Sequence, residues 1–164
     1  MWNLAEIVKM IDIVKTVTQI LKDEFKCTVY SDEALENFKK PCFFITAIPV
    51  SIPQTTNFME KHLSIVLTYF PKDSMRDEVH YLDVFDRIQS HFALGMQVGG
   101  RFLHVDRVTP DRVGEEQDIL QITIEIIYLE QTGKPESGAE MMEEIEVNGF
   151  NGDETVHDFI DKNS

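Results

Sequence analysis

The chain opens with a long helical pattern. Leu4, Ile7, Val8, Ile11, Val14, Val17, Leu21 and Phe25 recur at three- and four-residue intervals, and Ile13 and Ile20 widen the apolar stripe. Lys9, Asp12, Lys15 and Lys22 mark the wet side. Asn3 suits an N-cap, with Glu6 in the capping-box position. Cys27–Tyr30 reads as a short strand, followed by a polar, irregular stretch from Ser31 to Lys40. The segment Cys42–Ile48 is apolar at successive positions, so it predicts a strand buried on both faces, with Pro41 and Pro49 at its ends. Residues 49–58, PVSIPQTTNF, read as a loop. Alternation then predicts a strand from Glu60 to Phe70, with Leu63, Ile65, Leu67 and Tyr69 on one face.

A second helix follows. Ser74 and Asp77 are spaced as a capping box, and Val79, Leu82, Phe85, Ile88 and Phe92 form an apolar face. Gly95, Gly99 and Gly100 are placed to stop it. Phe102–Val108 reads as a strand and PDRVGEEQ as a loop. Ile119–Leu129 is the clearest strand: Leu120, Ile122, Ile124, Ile126 and Tyr128 alternate with polar residues. The order helix, three strands, helix, two strands predicts an α+β fold. Its mostly antiparallel sheet has four to five strands, packed by two helices.

Composition changes this picture in one respect. The 164 residues carry a formal charge of −14, unevenly placed. Residues 134–164 hold nine acidic and two basic side chains, so the last fifth of the chain carries half of the excess. The domain division expected is therefore 1–130 for the α+β domain and 131–164 for an acidic extension. In the extension, Ser137 and Glu140 are spaced as a capping box before Met141, Met142 and Ile145, and Val156, Phe159 and Ile160 fall at helical spacing. A chain this acidic has no surplus of cations to release counterions from phosphate, so tight nucleic-acid binding is not expected. No apolar run approaches the roughly 20 residues that span a bilayer, and no signal-peptide pattern opens the chain. Two cysteines without a Cys-x-x-Cys spacing point to reduced thiols in a cytoplasm.

Candidate chemistry is thin. His80 and His91 share a helix face but stand eleven residues apart, roughly 16 Å along the axis, too far to hold one metal. Cys42 with a distant histidine could form a nucleophile and base, yet a cysteine opening a buried strand is usually a small hydrophobe. His104 and Asp106 are two apart in a strand and point the same way, as a catalytic pair or as part of a polar sheet face. Asp77, Glu78, Asp83 and Asp86 read as a solvated helix face. No catalytic, metal or cofactor-binding residue emerges. The alternatives are a small regulatory or ligand-binding α+β domain and, more remotely, a hydrolase using Cys42 or His104.

Two stretches carry a resemblance. Lys40-Pro41-Cys42-Phe43-Phe44-Ile45, preceded by an amphipathic helix, and Thr68-Tyr69-Phe70-Pro71-Lys72-Asp73, followed by a helix and two strands, resemble the bacteriophage tail terminator family. The similar version is that of Gram-positive phages and defective prophages with contractile tails, over about residues 4–130. The resemblance implies a structural protein without catalysis or cofactor. Such proteins form a ring, usually of six subunits, on the head-proximal end of the tail tube. The ring stops tube polymerisation and joins the tail to a neck or head. Expected partners are other copies of the chain, the tube protein, the sheath, and a neck or head-completion protein. The expected location is the tail of a virion or of a headless tail-like particle, assembled in the host cytoplasm. A neighbouring subunit would cover the outer face of the Cys42–Ile48 strand. The 49–58 loop would form a stiff arm, with Pro49, Ile52, Pro53 and Phe58 as contact residues. Phe150, Phe159 and Ile160 would anchor the extension on a neighbour. A lumen lined with carboxylates would let DNA pass without sticking.

Overall fold

Strand alternation dominates the chain and sets its architecture. A computed structural model describes residues 7–31 and 36–132. Its elements are α1 (Met10–Phe25), β1 (Thr28–Tyr30), β2 (Cys42–Pro53), β3 (Phe58–Phe70), a 3₁₀ turn (Asp73–Met75), α2 (Glu78–Phe92), β4 (Gly95–Val98), β5 (Arg101–Val113) and β6 (Ile119–Gln131). The six strands form one sheet in the order β1-β2-β3-β6-β5-β4. All neighbours are antiparallel except β1 and β2, which run parallel. The fold is α+β, as expected, with one more strand than the sequence suggests.

Period-two patterning puts one face of the sheet under the helices. Leu63, Ile65, Leu67 and Tyr69 from β3 and Leu120, Ile122, Ile124, Ile126 and Tyr128 from β6 are all buried. They join Ile13, Val17 and Leu21 of α1 and Tyr81, Val84, Ile88 and Phe92 of α2 in one core. Each fully buried aliphatic or aromatic side chain contributes about 1.5–3 kcal/mol. The two helices are also tied to each other. Arg87 donates from Nε to Glu24 at 2.7 Å and lies 4.3 Å over the Phe25 ring, while His91 meets the other Glu24 oxygen at 2.7 Å.

Several boundaries differ from the sequence reading. Helix α1 starts at Met10, so Ile7 and Val8 precede it; Lys9 is extended and makes no side-chain cap. Asn3, Leu4 and Glu6 lie outside the described residues. Val8 is instead held by its backbone, its N–H donating to the buried Glu130 carboxylate at 3.2 Å. In α2 the cap is Asp77 itself, whose carboxylate accepts the His80 backbone N–H at 2.7 Å; Ser74 belongs to the 3₁₀ turn. The buried stripe of α2 is Tyr81, Val84, Ile88 and Phe92, while Val79 and Leu82 are exposed.

Both proposed loops are largely strand. β2 continues through Pro49 to Pro53, leaving only residues 54–57 as a turn. β5 continues through Pro110 to Val113 before the turn at Gly114. The glycines after α2 build a hairpin rather than a simple stop: Gly95 begins β4 at φ +150, where a Cβ would stand 2.1 Å from the Leu103 carbonyl oxygen. Only glycine allows that approach.

Candidate assembly interface

The opposite face of the sheet is formed by the alternate residues of β2, β3, β6 and β5, and it has two unlike halves. At the β1 end, Phe44 points outward yet is buried. It is packed by Tyr30 at 5.2 Å, Phe38 at 5.1 Å and Phe70 at 5.5 Å between ring centroids. Phe38 comes from the polar segment before β2, and Lys39 N–H reaches the Tyr30 hydroxyl at 3.4 Å. Strand β2 is therefore buried on both faces only over Cys42–Ile45. Its own chain covers this half, so no neighbouring subunit is needed here.

Beyond Ile45 the cover ends. Ile48, Val50 and Ile52 stand in a row on the outward side of β2. Ile127 and Leu129 stand in a parallel row on β6, across β3. All five are at least 39% exposed. Between the rows, Val50 pairs with His62 and His62 with Ile127; Ile52 pairs with Glu60 and Glu60 with Leu129. Glu60 and His62 are hydrogen-bonded to each other, and Arg107 pairs with Glu125 at 2.9 Å and with Asp106 at 3.2 Å.

The arm carrying the β2 row is held at its tip. Gln54 and Thr55 N–H both donate to the Phe58 carbonyl at 3.1 Å. Thr55 Oγ1 accepts from the Phe58 N–H at 3.1 Å. Thr132, just past β6, donates to the Asn57 carbonyl at 2.9 Å. Because Gln54 bonds across to Phe58, the even-numbered residues of β2 turn their backbone towards β3. The odd-numbered ones face the free edge. Pro49 and Pro53 are odd-numbered, so they remove donors from the edge and disturb no ladder bond. Pro49, Pro53, Ile52 and Phe58 thus all sit on this arm, Ile52 and Phe58 with side chains on the outer face. Phe150, Phe159 and Ile160 lie outside the described residues.

The candidate chemical groups are engaged elsewhere. Cys42 is buried, and that burial, with Cys27 nearby, pushes its thiol up to about 11. It remains a protonated, packed thiol at neutral pH. His80 shares a 2.9 Å hydrogen bond with the Tyr69 hydroxyl, and His91 is bound to Glu24. The two histidines thus tie α2 to β3 and to α1. His104 packs edge-on against Phe102 at 5.2 Å, while Asp106 sits at a β-bulge and pairs with Arg107. The bulge breaks the alternation on which the His104–Asp106 pairing rested. Among the described residues, no cluster of three or more His, Cys, Asp or Glu is arranged to hold a metal.

The structural feature that sequence reading missed is Glu130. It is 4% exposed and accepts from Arg101 Nη1 at 3.0 Å as well as from Val8. Its place in the period-two alternation of β6 was the available signal, since an acid on the inward face must find partners.

These observations define an α+β protein whose most developed surface is a partly apolar sheet face on a braced arm, as in subunits of larger assemblies. Residues 12–138 match the profile of the phage tail terminator protein family, and the chain belongs to that family. It is a structural protein of the phage tail. No curated protein matches the chain. No helix among the described residues is long and apolar enough to cross a membrane.

Proposed function

We propose that this protein is the ring that caps the head-proximal end of the tail tube. It ends tube polymerisation and offers a surface to the neck or head. The family match over residues 12–138 carries this reading. The uncovered sheet face supports it, because a lone monomer gains nothing from five exposed aliphatic side chains in two rows. In this reading the ring has six copies and sits on a contractile tail of a phage or a headless prophage particle. It touches the tube protein, and takes no part in catalysis. The net charge of −14 suits a ring through which DNA slides. Residues 131–164 contact a neighbouring tail or neck protein, with Phe150, Phe159 and Ile160 as anchors. Assembly takes place in the bacterial host's cytoplasm.

Deleting the gene in a producing strain tests the reading. Electron microscopy should show tails of irregular, extended length without heads, and the protein itself should label the upper end of wild-type tails. Uniform tails in the deletion strain would refute it. A second strain, truncated after Gln131, separates out the extension: loss of capping supports its anchoring role, and normal capping refutes that role alone.

A further inference from the structure

The sheet has two long edges that no strand covers among the described residues. β1 pairs with β2 only over Cys42–Phe44, and β4 pairs with β5 only over Arg101–His104. That leaves β2 from Ala47 to Pro53 and β5 from Arg107 to Val113 without a strand on their outer sides. Open edges on opposite sides of one sheet invite strands of other chains to add at both, and such growth has no natural end.

Hydrogen-bond parity decides which backbone groups each edge presents. Thr132 N–H donates to the Asn57 carbonyl, which places odd-numbered residues of β3 and even-numbered residues of β6 in the bonded pairs between those strands. The odd-numbered residues of β6 therefore face β5. They pair with Arg107, Thr109, Asp111 and Val113, so Val108, Pro110 and Arg112 turn their backbone to the open edge. Pro110 has no N–H, and the Arg112 N–H is taken by the Asp111 carboxylate at 2.8 Å. Over this stretch only Val108 presents a donor. The bulge between Val105 and Arg107 makes this possible. Ahead of it the register with β6 differs by one residue; carried on, it would turn Pro110 towards β6 and break a ladder bond. On β2 the odd-numbered residues face the open edge, and two of them, Pro49 and Pro53, lack an N–H. Ala47 and Ser51 keep theirs, but four residues apart, whereas an added strand needs a bonded residue at every second position.

We propose that these residues seal the sheet against strand addition: Pro49 and Pro53 on β2, and the bulge with Pro110 and Asp111 on β5. The protein then meets its neighbours through side-chain surfaces and does not extend its sheet into theirs. The same device, a missing or occupied donor at alternate positions, stands on both edges, and on β5 the bulge sets the parity it needs. The inference is independent of the ring reading.

Reopening the edges of the full chain tests this. Pro49→Thr with Pro53→Thr restores two donors on β2, and Pro110→Thr with Asp111→Ala restores two on β5. All four positions are exposed, and threonine suits a strand. Well below its melting temperature, each opened protein should form thioflavin-binding, sedimenting aggregates about tenfold faster than wild type at equal concentration. Opened proteins that melt like wild type and stay as soluble would overturn the proposal. A proline scan checks the parity itself. Ser51→Pro and Val108→Pro, at edge-facing positions, should melt near wild type, whereas Val50→Pro and Thr109→Pro each remove a ladder donor and should melt far lower. Where an opened variant melts lower than wild type, the scan decides alone: similar melting within each pair overturns the proposal, and the expected contrast upholds it.

Discussion

The two halves of β2 share one backbone and one neighbour, β3, yet they do different work. Over Cys42–Ile45 every side chain is buried: Phe43 and Ile45 in the core, Phe44 beneath Tyr30, Phe38 and Phe70. From Ala47 to Pro53 every residue is exposed. The covered half has α1 on one face and an aromatic cluster on the other. The uncovered half is a ribbon braced only by β3, β6 and its turn. Apolar residues thus stabilise the monomer where the chain folds over them. Where it does not, the same residue types become a surface for another molecule.

The sharpest way to break this contrast is at its covered end. Phe43→Ala removes a fully buried ring that touches Phe25 and Tyr69, and should cost about 3–5 kcal/mol in denaturant unfolding. A cost below about 1 kcal/mol would mean that this half is not core.

Alkaline pH should weaken the same end. Burial raises the Cys42 thiol from 9.0 to about 11 and the Tyr69 phenol from 10.0 to about 12. The unfolded chain therefore loses these protons first. The fold keeps its full stability below pH 9 and loses it as pH rises through the window between unfolded and folded values. The Cys42 share, about 2 kcal/mol at its largest, should disappear in Cys42→Ala. Identical pH profiles for the two proteins would contradict a buried thiol.

Arg101→Ala tests the brace behind the uncovered half. It takes from buried Glu130 its charged partner and should destabilise the protein by about 2 kcal/mol. Arg101→Ala with Glu130→Gln should recover part of that loss, because the buried charge is then gone. Equal melting of the single and double variants would show that the charge is not what matters.

The smallest effect on folding is expected from Ile52→Ser, which should shift stability by no more than about 0.5 kcal/mol. The same variant should lower association between copies in sedimentation. Should Ile52→Ser unfold the protein, the two halves of β2 would not differ as described.

The places where sequence reading succeeded and failed follow the same division. β3 and β6 were legible because the helices cover one face only, so burial alternates residue by residue. The extents of β2 and β5 were not. Pro49, Pro53 and Pro110 look like loop signals, yet each is accommodated within an extended strand. The face of α2 was misassigned because Val79 and Leu82 fit helical spacing as well as Tyr81 and Val84 do. Tyrosine is ambiguous in a hydrophobic pattern; here its ring is buried while its hydroxyl donates to the Asp118 carbonyl. β4 was hidden by Gly95, whose close approach to Leu103 involves β5 and so lies beyond any local pattern.

Local pattern alone was enough for the α+β class, the faces of β3 and β6, and the likeness to tail terminators; the double burial expected over Cys42–Ile48 holds only as far as Ile45. All of these depend on local periodicity or on short runs of residues. It took the folded arrangement to show that Phe38 and Phe70 close over Phe44, and that Ile48, Val50 and Ile52 align with Ile127 and Leu129 across β3. Which apolar residues are covered depends on strand order and register, and those contacts join positions up to about eighty residues apart in the chain.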